Sequence, residues 1–87
     1  MTYQEAQNAI TLHNGAISNY LSGVIAAAAD ELTDPADKSA AAWFSLAEQL
    51  HSKRMVFQSE AVRLMGEIQA AGFDCWLYTE SNYLGMR

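Results

Sequence analysis

Cysteine, proline and positive charge are all scarce in this chain. Of its 87 residues one is cysteine, one is proline, and five are lysine or arginine against ten aspartates and glutamates. A lone cysteine, Cys75, excludes an internal disulfide. Five bases in a chain of net charge −5 argue against a nucleic-acid or anionic-membrane footprint. No apolar run approaches the roughly 20 residues of a membrane span. The first residues lack the basic start and apolar stretch of a signal peptide, so a cytoplasmic location is expected.

Chemistry is scarce as well. His13 and His51 are the only histidines, and neither has a second ligand at helical spacing. Asp30, Glu31, Asp34 and Asp37 crowd four acids together without the alternating oxygens, central glycine and terminal glutamate of a calcium loop. Cys75 has no neighbouring base to lower its thiol pKa. No nucleophile elbow or phosphate-binding glycine loop occurs. No enzyme activity, cofactor or metal site is expected.

What the sequence does carry is helical periodicity with start and stop signals. Thr2-Tyr3-Gln4-Glu5 forms a capping box. From it Tyr3, Ala6, Ile10, His13, Ile17, Tyr20, Val24 and Ala27 recur at spacings of three and four, a heptad seam. Leu21, Ile25 and Ala28 widen that face toward its far end. Asp34 caps a second helix, with Pro35 at its first position. The second stripe reads Trp43, Leu46, Leu50, Arg54, Phe57, Ala61, Leu64, Ile68, and Arg54 interrupts it. Gly72 and Phe73 complete a Schellman stop.

The expected fold is therefore all-α, with residues 1–87 a single helical domain. Helix one is expected over about 3–31, a turn over about 32–34, helix two over about 35–71, and a short aromatic extension over 73–87. The short connection makes the helices antiparallel neighbours. Two helices cannot enclose a core by themselves, so a homodimer forming a four-helix bundle is expected. Gly15, Asn19, Ser22, Gly23 and Ala26 form a stripe of small residues, read as tolerated surface in preference to a second helix contact. The turn end, built from small residues, is expected to pack closely, and the open end to keep apolar surface for a partner. Tyr3, Ile10, Ile17, Phe57, Leu64 and Ile68 are the expected core and dimer residues. The extension is read as a short helix capped by Asp74, or an irregular packed tail, in preference to a strand.

Function is expected to lie in surface. Trp76, Tyr78 and Tyr83 are of the types that anchor interfaces, read as closing the open end or a dimer in preference to meeting a foreign partner, and Arg54 is a charge placed to select a partner. The chain is expected to be a non-enzymatic protein-binding module. Its character is that of the small inhibitors and adaptors carried by phages and mobile elements, an analogy of class only. A structural assembly subunit is the alternative. An acidic nucleic-acid mimic is weaker, because four of the ten acids sit at the turn.

Overall fold

The computed structural model describes residues 1–31 and 39–87, with the side chains of residues 29, 31 and 39–42 left aside. Helix α1 spans Tyr3–Glu31 and helix α2 spans Ser39–Ala70. Strands β1 (Cys75–Tyr78) and β2 (Tyr83–Met86) follow as an antiparallel pair. The connection at 32–34 and the Asp34–Pro35 helix start lie outside the described residues. The molecule is a rod of 55 × 18 × 14 Å.

Each described helix end has its cause in the sequence. The Thr2 hydroxyl accepts the Glu5 N–H at 3.2 Å and donates to the Glu5 carboxylate at 3.2 Å. This is a variant of the expected box, since Glu5 returns its bond to the hydroxyl and not to the Thr2 backbone N–H. At the end of α2 the Phe73 N–H reaches the Ile68 carbonyl and the Gly72 N–H reaches Gln69. Gly72 has φ +93°, the left-handed conformation that a Schellman stop requires and a side chain resists. Phe73 then folds back to pack near Ile68 and meets the Tyr3 ring edge-on at 6.0 Å.

The extension corrects the preference for helix or irregular tail: it is a β-hairpin. Its residues alternate. Cys75, Leu77, Leu84 and Met86 pack into the core, while the side chains between them point the other way. Asp74 caps nothing helical; its carbonyl accepts the Arg87 N–H at 3.1 Å and extends the ladder. The loop closes through the Tyr78 carbonyl, which accepts the N–H groups of both Ser81 and Asn82. Asn82 supplies the left-handed residue, with φ 58°, a conformation asparagine tolerates better than most residues.

The core therefore sits at the hairpin end of the rod. Ala6 and Ile10 of α1 and Ala61 and Ile68 of α2 are sealed by Cys75 and Leu84. β1 lies along α2 and β2 along α1. The extension closes the open end, one of the outcomes open to it, so the surface expected there for a partner is covered; the close packing expected of the turn end involves side chains at 29 and 39–42, outside those described. Apolar surface is left at the other end. Gly15 and Gly23 face open space, so within one chain the small-residue stripe is surface.

Candidate functional site

Two surfaces emerge, one on each end of the rod. The first is the outer face of the β-hairpin. The hairpin is tied to the helices by polar side chains that complete its backbone bonding. Asn14 donates its Nδ2–H to the Leu84 carbonyl and accepts the Leu84 N–H at Oδ1, both at 3.0 Å. One carboxamide thus serves β2 as a neighbouring strand would. Gln69 donates to the Cys75 carbonyl on β1 at 2.9 Å. The loop is fixed by Asn82, which is buried and donates Nδ2–H to the Arg54 carbonyl at 3.0 Å. His13 Nε2 lies 3.1 Å from the Asn82 carbonyl, so this nitrogen carries the proton when it bonds there. Both strand edges are bonded to a helix amide, which blunts their tendency to pair with foreign chains.

With its inner face and edges engaged, the hairpin displays Trp76, Tyr78, Tyr83, Gly85 and Arg87 outward. Trp76 is paired with Gly85 across the ladder, and its indole lies over that glycine. A Cβ on residue 85 would fall 2.5 Å from the indole, so glycine is needed for the ring to lie flat. Tyr78 meets Trp76 edge-on at 6.4 Å, and the Arg87 guanidinium sits 5.8 Å from the indole centroid. Tyr78 keeps 53% of its surface exposed. The result is a small aromatic platform on a strand pair whose backbone is held from behind.

The second surface is an apolar groove at the opposite end. Val24, Ile25 and Ala28 of α1 and Trp43, Leu46 and Leu50 of α2 line a cavity of about 400 Å³. Ile25 is 69% exposed and Trp43 47%, and Phe44 beside the groove is 67% exposed. Toward the hairpin the groove meets a smaller cavity of about 270 Å³, bounded by Leu50, Tyr20, Phe57 and the loop residues Glu80 to Asn82. Tyr20 lines the smaller cavity. Its ring meets Phe57 edge-on at 5.6 Å, and its hydroxyl donates to the Gln49 carbonyl at 3.3 Å.

The residues expected in the core and dimer seam divide by their burial within one chain. Ile10, Ile17 and Ile68 are buried within one chain, Leu64 packs against the same core, Phe57 is half-buried, and Tyr3 is exposed at its edge. Arg54 is not a buried charge in an apolar seam. It is exposed and donates its guanidinium to the Glu80 carbonyl at 2.6 Å, holding the hairpin loop. Elsewhere on α2, Arg63 joins Glu67 one turn on at 2.8 Å on the solvent face. The sequence reading missed Asn14, Gln69 and Asn82. Their only signal was polarity next to apolar stripes, which many surface residues share.

Among the described residues no group of three or more histidine, cysteine or acidic side chains could hold a metal. Among them, too, no helix is long and apolar enough to cross a membrane. The Cys75 thiol is buried, and burial, followed by the Asp74 carboxylate, pushes its pKa above the ordinary thiol value. The neutral thiol is the form the fold accepts. Because the folded value is raised, its contribution is complete below the unfolded thiol pKa and falls away as pH rises above it, from about pH 8.5 upward. Urea titrations between pH 7 and 10 should show a steeper alkaline loss of stability for the wild type than for Cys75→Ala. Equal slopes would remove the thiol from the account.

Comparisons with protein-family models, with curated proteins and with solved structures gave no match.

Proposed function

We propose that this protein acts without catalysis, by binding another protein through the outer face of its β-hairpin. The observation that carries this reading is the aromatic platform: Trp76 and Tyr78 in ring contact, Arg87 beside the indole, and Tyr83 opposite Tyr78 in the strand pair. Tryptophan, tyrosine and arginine are the residue types that dominate interface energetics. The platform sits on the face of the hairpin that the core does not use, and on a backbone already ordered by Asn14, Gln69 and Asn82. A partner docking there meets a surface with little conformational freedom left to lose.

An inhibitor or adaptor role follows from this, with occupation of a partner as the whole mechanism. A homodimer that presents two platforms fits the same reading. The structural-subunit reading is favoured by a different observation, the exposed groove of Ile25 and Trp43. The two are separated by capturing partners from the source cells with immobilised wild-type protein and with Tyr78→Ala, Tyr83→Ala and Trp76→Phe. A foreign protein retained by the wild type and lost at least ~10-fold with the hairpin variants supports the platform. Equal capture by all four, with helix content unchanged, would place the interaction elsewhere.

A further inference from the structure

We infer that the outer edge of β1 takes an extended segment of a partner protein as a third strand, a segment with a lysine or arginine near each end. This rests on the hairpin being the binding end of the molecule, as proposed above, and it names the kind of partner met there. The two edges of the hairpin are finished unequally. On β2, Asn14 takes both backbone groups of Leu84, and His13 meets the Asn82 carbonyl. Those bonds show that Leu84 turns its N–H and carbonyl away from β1. Leu77, its partner in the register, then turns its own N–H and carbonyl away from β2. Cys75 points the same way, and Gln69 takes its carbonyl. Among the described residues nothing bonds the Leu77 N–H, the Leu77 carbonyl or the Cys75 N–H. Donors and an acceptor in a row along a strand edge match the backbone of another strand.

An open cleft of about 450 Å³, lined by Leu77, Tyr78, Thr79, Glu80 and Ser81, lies at the end of this edge. Trp76 and Tyr78 belong to the same strand. A strand added about 4.8 Å away sets its alternate side chains beside the two rings. Edge and platform then form one surface, the first bonding the partner's backbone and the second its side chains.

Charge decides between a foreign segment and a second copy. A second copy would pair β1 with β1 about a two-fold axis at Leu77, the register that uses the open groups of both. Asp74 and Glu80 lie equally far from Leu77 on either side, so the Asp74 end of each copy would face the Glu80 end of the other. Both residues are exposed, and neither enters an ion pair among the described residues. Like charges opposed across a strand pair are destabilising, and here they would be opposed twice. Arg87 and Arg54 are engaged elsewhere, at the Trp76 indole and the Glu80 carbonyl. A segment with a base beside each carboxylate makes the same two contacts favourable.

Nuclear magnetic resonance titration of the full chain with a defined peptide tests this. The probe is acetyl-Lys-Val-Thr-Val-Thr-Val-Lys-amide, whose lysines and threonines share one face when extended. It should bind with a Kd of ~0.1–5 mM, shift the Cys75 and Leu77 amides first, and slow hydrogen exchange at Leu77. The same peptide with glutamate at both ends should bind at least ~10-fold more weakly at low salt, and the gap should narrow at about 0.5 M. Asp74→Lys combined with Glu80→Lys should reverse that preference, and the fold should tolerate it because it uses their carbonyls and not their carboxylates. N-methylation of the valines or of the threonines strips donors from one edge of the peptide at a time. One of the two should abolish binding and the other leave it within ~3-fold. No binding up to ~5 mM, equal binding by both methylated peptides, or protection that misses Leu77 overturns the inference. So does Leu77 protection that rises with protein concentration in the absence of peptide, which makes the occupant a second copy. A foreign protein captured through Trp76 and Tyr78 that leaves the Leu77 amide in fast exchange overturns the inference while the proposed function stands. Peptide binding at the edge, with partner capture indifferent to Tyr78→Ala, supports the edge and removes the platform.

Discussion

Removal of residues 74–87 is expected to abolish the cooperative unfolding transition. The segment contributes Cys75, Leu77, Leu84 and Met86 to the core, opposite Ala6, Ile10, Ala61 and Ile68. Burial of an apolar side chain of this size contributes about 1.5–3 kcal/mol, so the four together contribute several. Ordering the hairpin offsets part of that, yet a small domain has only about 5–15 kcal/mol of net stability to lose. The truncated chain would also leave the core face of both helices in water. The result should be a broad, shallow melt and a marked fall in the helical circular dichroism signal at 25 °C, compared at one protein concentration because association stabilises both forms. A sharp transition near the wild-type midpoint would show that the helices need no third layer.

Asn14→Leu is expected to destabilise the protein by about 2–4 kcal/mol, although it adds apolar surface of nearly the same size. The Asn14 carboxamide closes both bonds of Leu84, and Leu84 is only 3% exposed. Leucine would leave a buried N–H and a buried carbonyl without partners, and each costs roughly 1–3 kcal/mol. Asn14→Asp should fall between, since a carboxylate can accept the Leu84 N–H but repels its carbonyl. Urea unfolding gives the energies. Hydrogen exchange of the Leu84 amide identifies the cause, because protection there should collapse in Asn14→Leu even where the rest of α1 stays protected. A loss below about 0.5 kcal/mol would mean that water takes over both bonds.

The same residue shows why part of the site was hidden in the sequence. Asn14 follows His13 on the edge of an apolar stripe, where a polar residue ordinarily faces solvent. Its role exists only because β2 passes alongside, some 70 positions later in the chain. Arg54 was legible as an anomaly in the second stripe, but its partner is the Glu80 carbonyl of a loop whose position the stripe does not encode. Trp76, Tyr78 and Tyr83 stood out by type, and the alternation of the strands then put them on one face. Four-residue strands are too short for periodicity to separate them from a helical turn, and Asp74 before them resembled a helix cap. What decided for strands was tertiary: an isolated two-stranded hairpin is marginal in water, and this one is held by the helix amides and the core beneath it.

The start of α1 and the end of α2 were in the sequence outright. Caps and glycine stops act through bonds between residues three to five apart, so the chain needs no distant partner to express them. The length of α1 and the apolar faces of both helices were likewise local properties of spacing. Which end of the helix pair would be covered was not. Both ends carry apolar stripes, and periodicity marks a face as apolar without naming what lies on it. The choice was made when the Schellman stop at Gly72 turned the chain back along its own helices, and the hairpin bonded to Asn14, Gln69 and Arg54. That covered Ile10 and Ile68 and left Ile25 and Trp43 in the open, because an extension of this length reaches only the end of the rod at which α2 stops.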